Sequence, residues 1–414
     1  MKNPTSSTVG SLSLGRGAGS VRSTDATRTD QRYFVVLCGS LVALNLLMFL
    51  YHVSAASIFN TAGYAISVAL IAYSVLTIIR AQSSDHAGII FLVFACSLTF
   101  LSVILNWPDI SAVDILKYLS VYILYSAGRM AGGRIGPFEL RCIYVLAAFP
   151  VIFMMTGSSK IYDSDSLAYF PNANTAVLYF SALLFAAAQV LGNYAILLQI
   201  INAALMNKIG AIVATMVAVG LWVLFPLRRE SIVGLIVVGV AGFAALWLGA
   251  FDRVIGVFDN LMFVYRLEPG AVASMSYREL VQLTGSTDLS GFFRLIHWSN
   301  IWDLYSDRGI GTLLFGYGPG QSASLTYAGL VPHNDYLRVL AEYGLFNLVV
   351  FVSFLLYVRN GLTTGAAQVL FVVLCVYFFS ENLLDNFTSM APYFAYAGRA
   401  AARSSEASVR GSID

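Results

Sequence analysis

The sequence predicts an all-α polytopic membrane protein with about 12 transmembrane helices and one large periplasmic loop containing amphipathic helices. Hydrophobic residues make up 58% of the chain and charged residues only 11%, whereas a soluble domain carries about 25% charged residues. The mean hydropathy is +0.75, and long apolar stretches recur along the chain. Because backbone polar groups inside a bilayer must be satisfied within the protein, recurrent stretches of this kind indicate transmembrane helices.

The apolar stretches locate the individual spans. They lie near residues 33–53, 58–79, 87–105, 110–128, 141–156, 174–191, 193–207, 209–226, 231–250, 338–358, 365–382 and 385–398. Several of them are shorter than the roughly 20 residues that a perpendicular span needs.

The distribution of basic residues sets the orientation and tests the number of spans, because cytoplasmic loops concentrate Lys and Arg. With the N-terminus in the cytoplasm, twelve spans place most of the 24 basic residues inside, and the short outer loops carry none. If 174–207 formed one long helix, Arg228 and Arg229 would face outward. Charge therefore favours a break at Gly192-Asn193.

This orientation divides the chain into five segments. They are a cytoplasmic tail at 1–31, transmembrane helices 1–9 at 32–250, a large periplasmic loop at 251–336, transmembrane helices 10–12 at 337–398, and a cytoplasmic tail at 399–414. The first tail is rich in Ser, Thr, Gly and Arg and is expected to be disordered. Function at the outer face would be built mainly from the large loop and a shorter outer loop at 157–173.

The cysteines and histidines do not form a pattern typical of a metal site. All four cysteines lie inside apolar runs and are expected to be small core residues. The four histidines are scattered along the chain, which makes a metal cluster improbable. The cysteines are Cys38, Cys96, Cys142 and Cys375, and the histidines are His52, His86, His297 and His333.

The large outer loop contains five arginines and no lysine; the arginines are Arg253, Arg266, Arg278, Arg294 and Arg308. Arginine suits bidentate contact with phosphate and diphosphate. The loop also contains eight acidic residues, so it is not a general basic patch. Phosphate binding and salt bridges at a protein rim are both open interpretations of these arginines.

One segment of the loop, FFRLIHWSNIWDLYSDRG, has apolar residues at roughly helical spacing. It predicts an amphipathic helix on the membrane surface, with Trp298 and Trp302 at interfacial depth. Arg294 and His297 are three residues apart and would share a face. The alternative is an interfacial helix whose arginine extends to lipid headgroups.

The end of the loop combines a glycine-rich turn with a histidine. In GTLLFGYGPG, the glycines allow tight turns and a close approach of substrate to backbone amides, which makes Gly318 and Gly320 candidates for substrate binding. VPHNDYLRVLAEYG then begins a helix that Asn334 or Asp335 can cap. The positive end of the helix dipole favours neutral imidazole at His333, the form that a general base requires. A histidine that merely caps the helix is the alternative.

These residues resemble the bacterial O-antigen polymerase and O-antigen ligase superfamily. The resemblance is carried by an Arg–Trp surface helix, the glycine-rich turn, and Pro-His-Asn at the start of a helix that continues Leu-x-x-x-Glu-x-Gly. The matching residues are Arg294, Trp298, Gly316, Gly318, Gly320, Pro332, His333, Asn334, Leu337, Glu342 and Gly344. Upstream, FPNANTAVLYF contains Asn172 and resembles the Pro-Asn segment of the family. MNKIGAIVA places Asn207 and Lys208 where serine and arginine are usual.

The resemblance implies an inverting, metal-independent GT-C-type glycosyltransferase without a cofactor, acting on undecaprenyl-diphosphate-linked glycans. It implies His333 and Arg294 as catalytic residues. The residues expected to bind substrate are Arg278, Lys208, Arg308, Asn334, Gly318, Gly320, His297 and Asn172. Lys208 in place of arginine keeps the charge but loses the bidentate fork.

The function expected from these features is polymerisation of lipid-linked repeat units of an O-antigen or exopolysaccharide at the periplasmic face of the inner membrane. Donor and acceptor are then both lipid-linked, and no second soluble domain is apparent. An O-antigen ligase, which transfers the glycan to lipid A-core, could use the same residues. A transporter or flippase is the non-enzymatic alternative, against which stand few mid-span charges and no convincing repeat. Expected partners are the lipid-linked glycans, membrane lipids and a chain-length regulator, with no nucleic acid.

Overall fold

The structure is a computed structural model that describes part of the chain in detail. The described residues are 21–81, 87–156, 169–170, 173–206, 208–224, 277–284, 290–326 and 329–411. Over these residues the chain forms helices and no strand. Six of the described helices are long and apolar enough to cross a membrane, and three shorter ones are apolar. The predicted fold class, an all-α polytopic membrane protein, is confirmed.

The described helices follow one another along the chain with short turns between most of them. They are α1 (Val21–Ser54), α2 (Ser57–Arg80), α3 (Ala87–Leu105), α4 (Ala112–Ala131), α5 (Pro137–Thr156), α6 (Ala173–Leu191), α7 (Tyr194–Met206), α8 (Ile209–Leu224), α9 (Tyr277–Thr284), α10 (Ser290–Ser306), α11 (Ile310–Phe315), α12 (Gln321–Ser324), α13 (Asp335–Gly361), α14 (Gly365–Tyr377) and α15 (Phe387–Gly411).

Eleven of the twelve predicted spans coincide with one of these helices. The span predicted at 231–250 lies outside the described residues, so the total of twelve stays a prediction. The predicted break is confirmed: α6 ends at Leu191, α7 begins at Tyr194, and Gly192 adopts φ +54° between them. That backbone conformation is available to glycine without the steric cost it has for other residues.

Helices extend into both segments that were predicted to be cytoplasmic tails. Helix α1 already begins at Val21, so the backbone of 21–31 is helical rather than part of a disordered tail. Helix α15 continues through Arg399, which is fully buried and paired with Glu139 at the start of α5. Hydropathy missed these continuations because polar residues can extend a helix beyond its apolar section.

Side-chain caps begin three of the described helices. The side chains of Ser111, Asn334 and Thr364 each accept a hydrogen bond from the main-chain amide three residues further on. Such N-caps satisfy amides that have no partner within the helix. Asn334 is therefore the cap of α13, as one of the two sequence alternatives proposed.

Close helix packing joins α15 to α4. A Cβ atom built on Gly128 would lie 2.0 Å from the carbonyl oxygen of Ala395, and one on Gly398 would lie 2.0 Å from that of Tyr125. Only glycine permits this approach, in the way that small residues do at transmembrane helix contacts. This packing holds α15 against the second half of α4.

Alternating helix ends group the connecting segments at two ends of the bundle. At the end predicted to face outward, the Ser111 amide donates to the Pro319 carbonyl (2.8 Å), and the Asp335 amide donates to the Phe378 carbonyl (2.7 Å). At the other end, Arg399 donates to the Gly132 carbonyl (3.0 Å). The candidate site lies at the first of these ends.

Candidate functional site

Helix α10 is tied to the segment that precedes α13. Nε2 of His297 donates to the Leu330 carbonyl at 2.8 Å, and Nε1 of Trp298 donates to the Pro332 carbonyl. The Trp298 ring also packs edge-on against Phe379, with 5.3 Å between centroids. Trp298 therefore holds α10 against the segment before α13 and against Phe379. The same face of α10 carries Arg294 and brings it towards His333.

His333 occupies an unusual backbone conformation just before α13. Its φ is +48°, in the left-handed region that residues other than glycine seldom adopt. Its side chain is 35% exposed, yet Nδ1 is buried and has no hydrogen-bond partner. Nδ1 thus faces the protein, while another part of the His333 side chain is exposed.

Glu381 is the group that Arg294 and His333 share. Nη2 of Arg294 lies 3.0 Å from Oε1 of Glu381, and the Asn174 amide donates to that same oxygen. Oε2 of Glu381 lies 3.8 Å from Nδ1 of His333. Arg294 is thus in an ion pair, which contradicts the alternative in which its side chain extends to lipid headgroups.

Sequence analysis did not identify Glu381, although a signal was present. Glu381 and Asp385 are the two ionisable acids within the otherwise apolar stretch 365–398. Carboxylates in such a stretch are costly unless they have partners, and they often mark functional sites. The interruption at 383–384 was assigned as a minimal turn between two spans, whereas the structure has a longer turn from Phe378 to Asn386.

Main-chain contacts hold this turn against the start of α13. Oδ2 of Asp335 accepts hydrogen bonds from the amides of Leu383 (2.6 Å) and Leu384 (3.1 Å). The Asp335 amide in turn donates to the Phe378 carbonyl. Since His333 and Glu381 lie on the two segments joined in this way, the side chain and the amide of Asp335 fix their relative positions.

A cluster of ion pairs lies on the other side of the turn. Arg338 contacts Asp114 (2.8 Å), Asp385 (3.1 Å) and Glu342 (3.4 Å), while Lys117 contacts Asp385 (2.7 Å) and Asp114 (3.2 Å). Burial raises the pKa of Asp385, but the neighbouring Arg338 and Lys117 outweigh burial and the pKa is lowered overall. The cluster joins α4, α13 and the turn that carries Glu381.

The predicted glycines pack against the protein itself. A Cβ atom on Gly318 would lie 2.9 Å from the side chain of Asn106, and one on Gly320 would lie 2.6 Å from that of Ser111. Both glycines have positive φ. The close approach that these glycines permit is made by the turn between α3 and α4, so the structure does not support their interpretation as a substrate cradle.

Helix α13 is interrupted where this glycine segment meets it. Gly344 adopts φ +84° inside the helix, and the carbonyls of Ala341 and Glu342 accept hydrogen bonds from Tyr317 and Gly318 (2.8 and 2.9 Å). The interruption frees these carbonyls from the helical pattern and joins the outer segment to the bundle.

The other predicted residues occupy different surroundings. Lys208 is exposed in the turn between α7 and α8, and a Cβ atom on the nearby Gly210 would lie 3.8 Å from Oγ of Ser380. The Lys208 turn therefore adjoins the Glu381 turn. Arg308 is exposed and lies over the Tyr317 ring, 5.2 Å from its centroid, beside the glycine segment.

Four predicted contacts with substrate remain to be placed. Arg278 is exposed on α9, and Asn172 lies outside the described residues. The Asn334 side chain serves as a helix cap. His297 is buried and holds the Leu330 carbonyl, and burial lowers its pKa. His297 and Asn334 therefore shape the site from within the protein.

Metal ligands are not grouped in the described part of the chain. Among those residues, no set of three or more His, Cys, Asp or Glu side chains is placed so that it could hold a metal ion. The arrangement at Glu381 offers instead a cation able to bind phosphate, a carboxylate and an imidazole.

A family model described as O-antigen ligase matches residues 194–352. The match covers less than half of the chain. The superfamily resemblance predicted from the sequence is thereby confirmed. No curated protein is similar enough to the chain to count as a match.

The residues matched by the family model contribute three of the four groups that surround Glu381 or adjoin its turn. Lys208, Arg294 and His333 fall within the matched residues, whereas Asn174 and Glu381 lie before and after them. The family match is compatible with both polymerase and ligase. Segments outside the matched residues therefore supply further contacts at the candidate site.

Proposed function

We propose that the protein is a glycosyltransferase that joins undecaprenyl-diphosphate-linked repeat units into a polymer at the periplasmic face of the bacterial inner membrane. The observation that carries the proposal is the meeting of Arg294 and His333 at Glu381, within 3.8 Å of the same carboxylate. One group can bind a diphosphate and the other can take a proton, which are the two requirements of transfer from a lipid-diphosphate donor. The O-antigen ligase match supports this class of substrate.

In the proposed reaction, His333 acts as general base through Nε2. The acceptor hydroxyl loses its proton to this nitrogen, and the resulting oxygen attacks the anomeric carbon of the donor sugar. The new glycosidic bond forms as the bond from that carbon to the diphosphate oxygen breaks. A single displacement inverts the anomeric configuration, and undecaprenyl diphosphate leaves with the bonding electrons.

Arg294 would stabilise the charge that develops on the departing diphosphate. Its side chain is 30% exposed, so a ligand can reach the guanidinium without unfolding α10. Charge-assisted contacts to phosphate are among the stronger hydrogen bonds in proteins. Lys208 lies on the neighbouring turn and supplies a second positive charge, although an ammonium lacks the paired donors of a guanidinium.

The periplasmic location is part of the proposal; the charge distribution of the sequence supports it, and so does the grouping of helix ends. Arg294, His333, Glu381 and the Lys208 turn all lie at one end of the bundle, and the loops predicted to be cytoplasmic lie at the other end. Lipid-linked glycans and membrane lipids are the partners this arrangement would meet.

A ligase is the second candidate, because the matched family is itself described as O-antigen ligase. Donor, bond change and base would be the same, and the acceptor would be lipid A-core instead of another lipid-linked glycan. A deletion strain separates the two: polymerase loss leaves single-repeat products, whereas ligase loss leaves full-length polymer that is not attached.

The site assignment is tested with membranes that carry His333→Asn or Arg294→Ala. Asparagine tolerates the backbone conformation of residue 333. Loss of a general base lowers rates by about 10²–10⁴-fold, so both variants should fail to elongate lipid-linked repeats. Arg80→Ala removes an exposed arginine at the opposite end of the bundle and should keep normal elongation. Normal elongation by both site variants would refute the assignment.

A further inference from the structure

The carboxylate of Glu381 lies between the two groups that the proposed reaction uses. Oε1 is held by Arg294 and Asn174, whereas Oε2 faces Nδ1 of His333 across 3.8 Å. That distance exceeds the roughly 3.2 Å limit of an N–H···O hydrogen bond. Nδ1 of His333 is buried and has no hydrogen-bond partner. Arg294 therefore holds one oxygen of Glu381, while the buried Nδ1 of His333 has no hydrogen-bond acceptor.

A diphosphate would compete with Glu381 for Arg294. It carries more negative charge than a carboxylate and offers oxygens that match the guanidinium fork. The Glu381 side chain is only 9% exposed, and a buried carboxylate that loses its cation needs another partner. The nearest candidate is Nδ1 of His333, and a shift of about 1 Å would give a charge-assisted hydrogen bond.

We propose that Glu381 is a positioning residue that changes partner when the donor binds. A diphosphate that binds Arg294 releases the Glu381 carboxylate, which then forms a hydrogen bond with His333. We call this exchange of partners the handover. This inference rests on the proposed function. Once released from Arg294, Oε2 accepts a hydrogen bond from Nδ1–H, which orients the ring and directs Nε2 to the acceptor hydroxyl. The carboxylate then stabilises the imidazolium formed when Nε2 takes the proton. The base becomes effective only after the donor is bound, so the donor binds productively before the acceptor.

The other charged groups near His333 have their own partners or lie further along the surface. Asp335 accepts from the Leu383 and Leu384 amides, and His297 on α10 holds the Leu330 carbonyl. Lys208 on the neighbouring turn and Arg294 are cations and cannot accept the Nδ1 proton. Glu381 is therefore the described carboxylate placed to take this role.

The test uses full-length protein in lipid nanodiscs, with undecaprenyl diphosphate as the probe. Diethyl pyrocarbonate modifies neutral imidazole, so peptide mass spectrometry can follow the extent of His333 modification against pH. The probe's own charge shifts the midpoint upward in any variant. In the native protein the shift should exceed that of Glu381→Gln by about one pH unit, the scale of an opposite charge at close range. The same variant without the probe gives the reference midpoint for each comparison.

Steady-state kinetics provide the second readout. Glu381→Gln should lower kcat by more than tenfold without raising the donor KM, because the variant removes the competitor for Arg294. Glu381→Asp keeps the negative charge, so its kcat should lie between those of Glu381→Gln and the native protein. It also replaces Glu381→Gln in the test if the glutamine variant folds poorly. Asp385→Asn removes a carboxylate from the same turn and should leave the probe-induced shift at His333 unchanged.

Two results separate this inference from the proposed function. Equal probe-induced shifts in the native protein and Glu381→Gln, or an unchanged kcat in that variant, would overturn the handover alone. Undecaprenyl diphosphate that binds Arg294→Ala as tightly as the native protein would overturn the diphosphate role of Arg294, and the proposed function with it.

Discussion

Two glutamate–arginine pairs lie at opposite ends of the bundle and differ in how completely they are satisfied. Arg399 and Glu139 have side-chain exposures of 0% and 3%. They form two contacts with each other, and Arg399 also donates to the Gly132 carbonyl and lies 3.3 Å from the Phe34 ring centroid. Arg294 and Glu381 share one contact, and Arg294 is 30% exposed.

The difference indicates what each pair can do. All three guanidinium nitrogens of Arg399 donate to protein groups, so this pair holds α4, α5 and α15 together. Arg294 keeps part of its side chain accessible, and Glu381 keeps one oxygen facing a histidine. An ion pair with spare binding capacity can exchange partners with a ligand, whereas a saturated one cannot without destabilising the fold.

The largest expected effect is on stability, at the saturated pair. Arg399→Ala leaves Glu139 buried without its cation, which should cost about 3–5 kcal/mol of unfolding free energy. Chemical unfolding in detergent micelles measures this loss. The double variant Glu139→Gln/Arg399→Met removes both charges and should recover most of it. A loss below about 1 kcal/mol in the single variant would contradict the structural role.

Arg294→Ala should show the opposite profile. Stability should change by less than about 1 kcal/mol, because Arg294 is partly exposed and Glu381 keeps its hydrogen bond from Asn174. Transfer should fall about 10²–10³-fold, the scale of losing one group that stabilises transition-state charge. An unfolding curve measures the change in stability, and initial rates of repeat elongation measure the loss of transfer. A large stability loss would mean that this pair resembles Arg399–Glu139.

Asp385 allows a comparison within one turn, since its carboxylate has two cations where Glu381 has one. Asp385→Asn removes a negative charge that Arg338 and Lys117 both contact. The free energy of unfolding should therefore fall by about 1–3 kcal/mol. The pKa of Asp385 is lowered in the folded protein, so its stabilisation is present above about pH 4 and is lost as pH falls further. The native protein should therefore lose more stability than the variant between about pH 5 and pH 3. Parallel pH curves for the two proteins would count against this ion cluster.

The smallest expected effect is at Lys208. Because Lys208 is exposed, Lys208→Arg should change stability by less than about 0.5 kcal/mol. The arginine fork should tighten the donor diphosphate contact by about 1 kcal/mol, or roughly fivefold in donor KM. Lys208→Met, which keeps the side-chain length without the charge, should raise that KM. An unchanged KM in both variants would place Lys208 outside the donor site.

Local patterns were sufficient to predict most of the helices. Apolar runs and the Gly192-Asn193 break follow from side-chain chemistry that acts over a few residues. The helical ends at 21–31 and 399–411 could not be predicted in the same way, because their polar composition resembles that of a solvated tail. The burial of Arg399 depends on Glu139, which is 260 residues away in the chain.

The site was predicted in part for the same reason. Arg294 and His333 were recognised from their local sequence context, and the structure brings them together. Glu381 and Asn174 reach them only through the packing of α6, α14 and α15, which no local spacing encodes. The glycines were recognised as positions of close approach, but the sequence does not show that the approaching group is the turn between α3 and α4.

The left-handed backbone at His333 also restricts how this position can change during evolution. Asparagine, aspartate and glycine tolerate such a conformation, whereas β-branched residues strongly resist it. A saturation library at this position should therefore separate into two groups of inactive variants. Asparagine and glycine variants would accumulate as folded protein, and valine and isoleucine variants would be depleted by quality control. In relatives that lost the proposed activity, position 333 would be expected to keep a small or polar residue, because the left-handed backbone conformation would still be needed there.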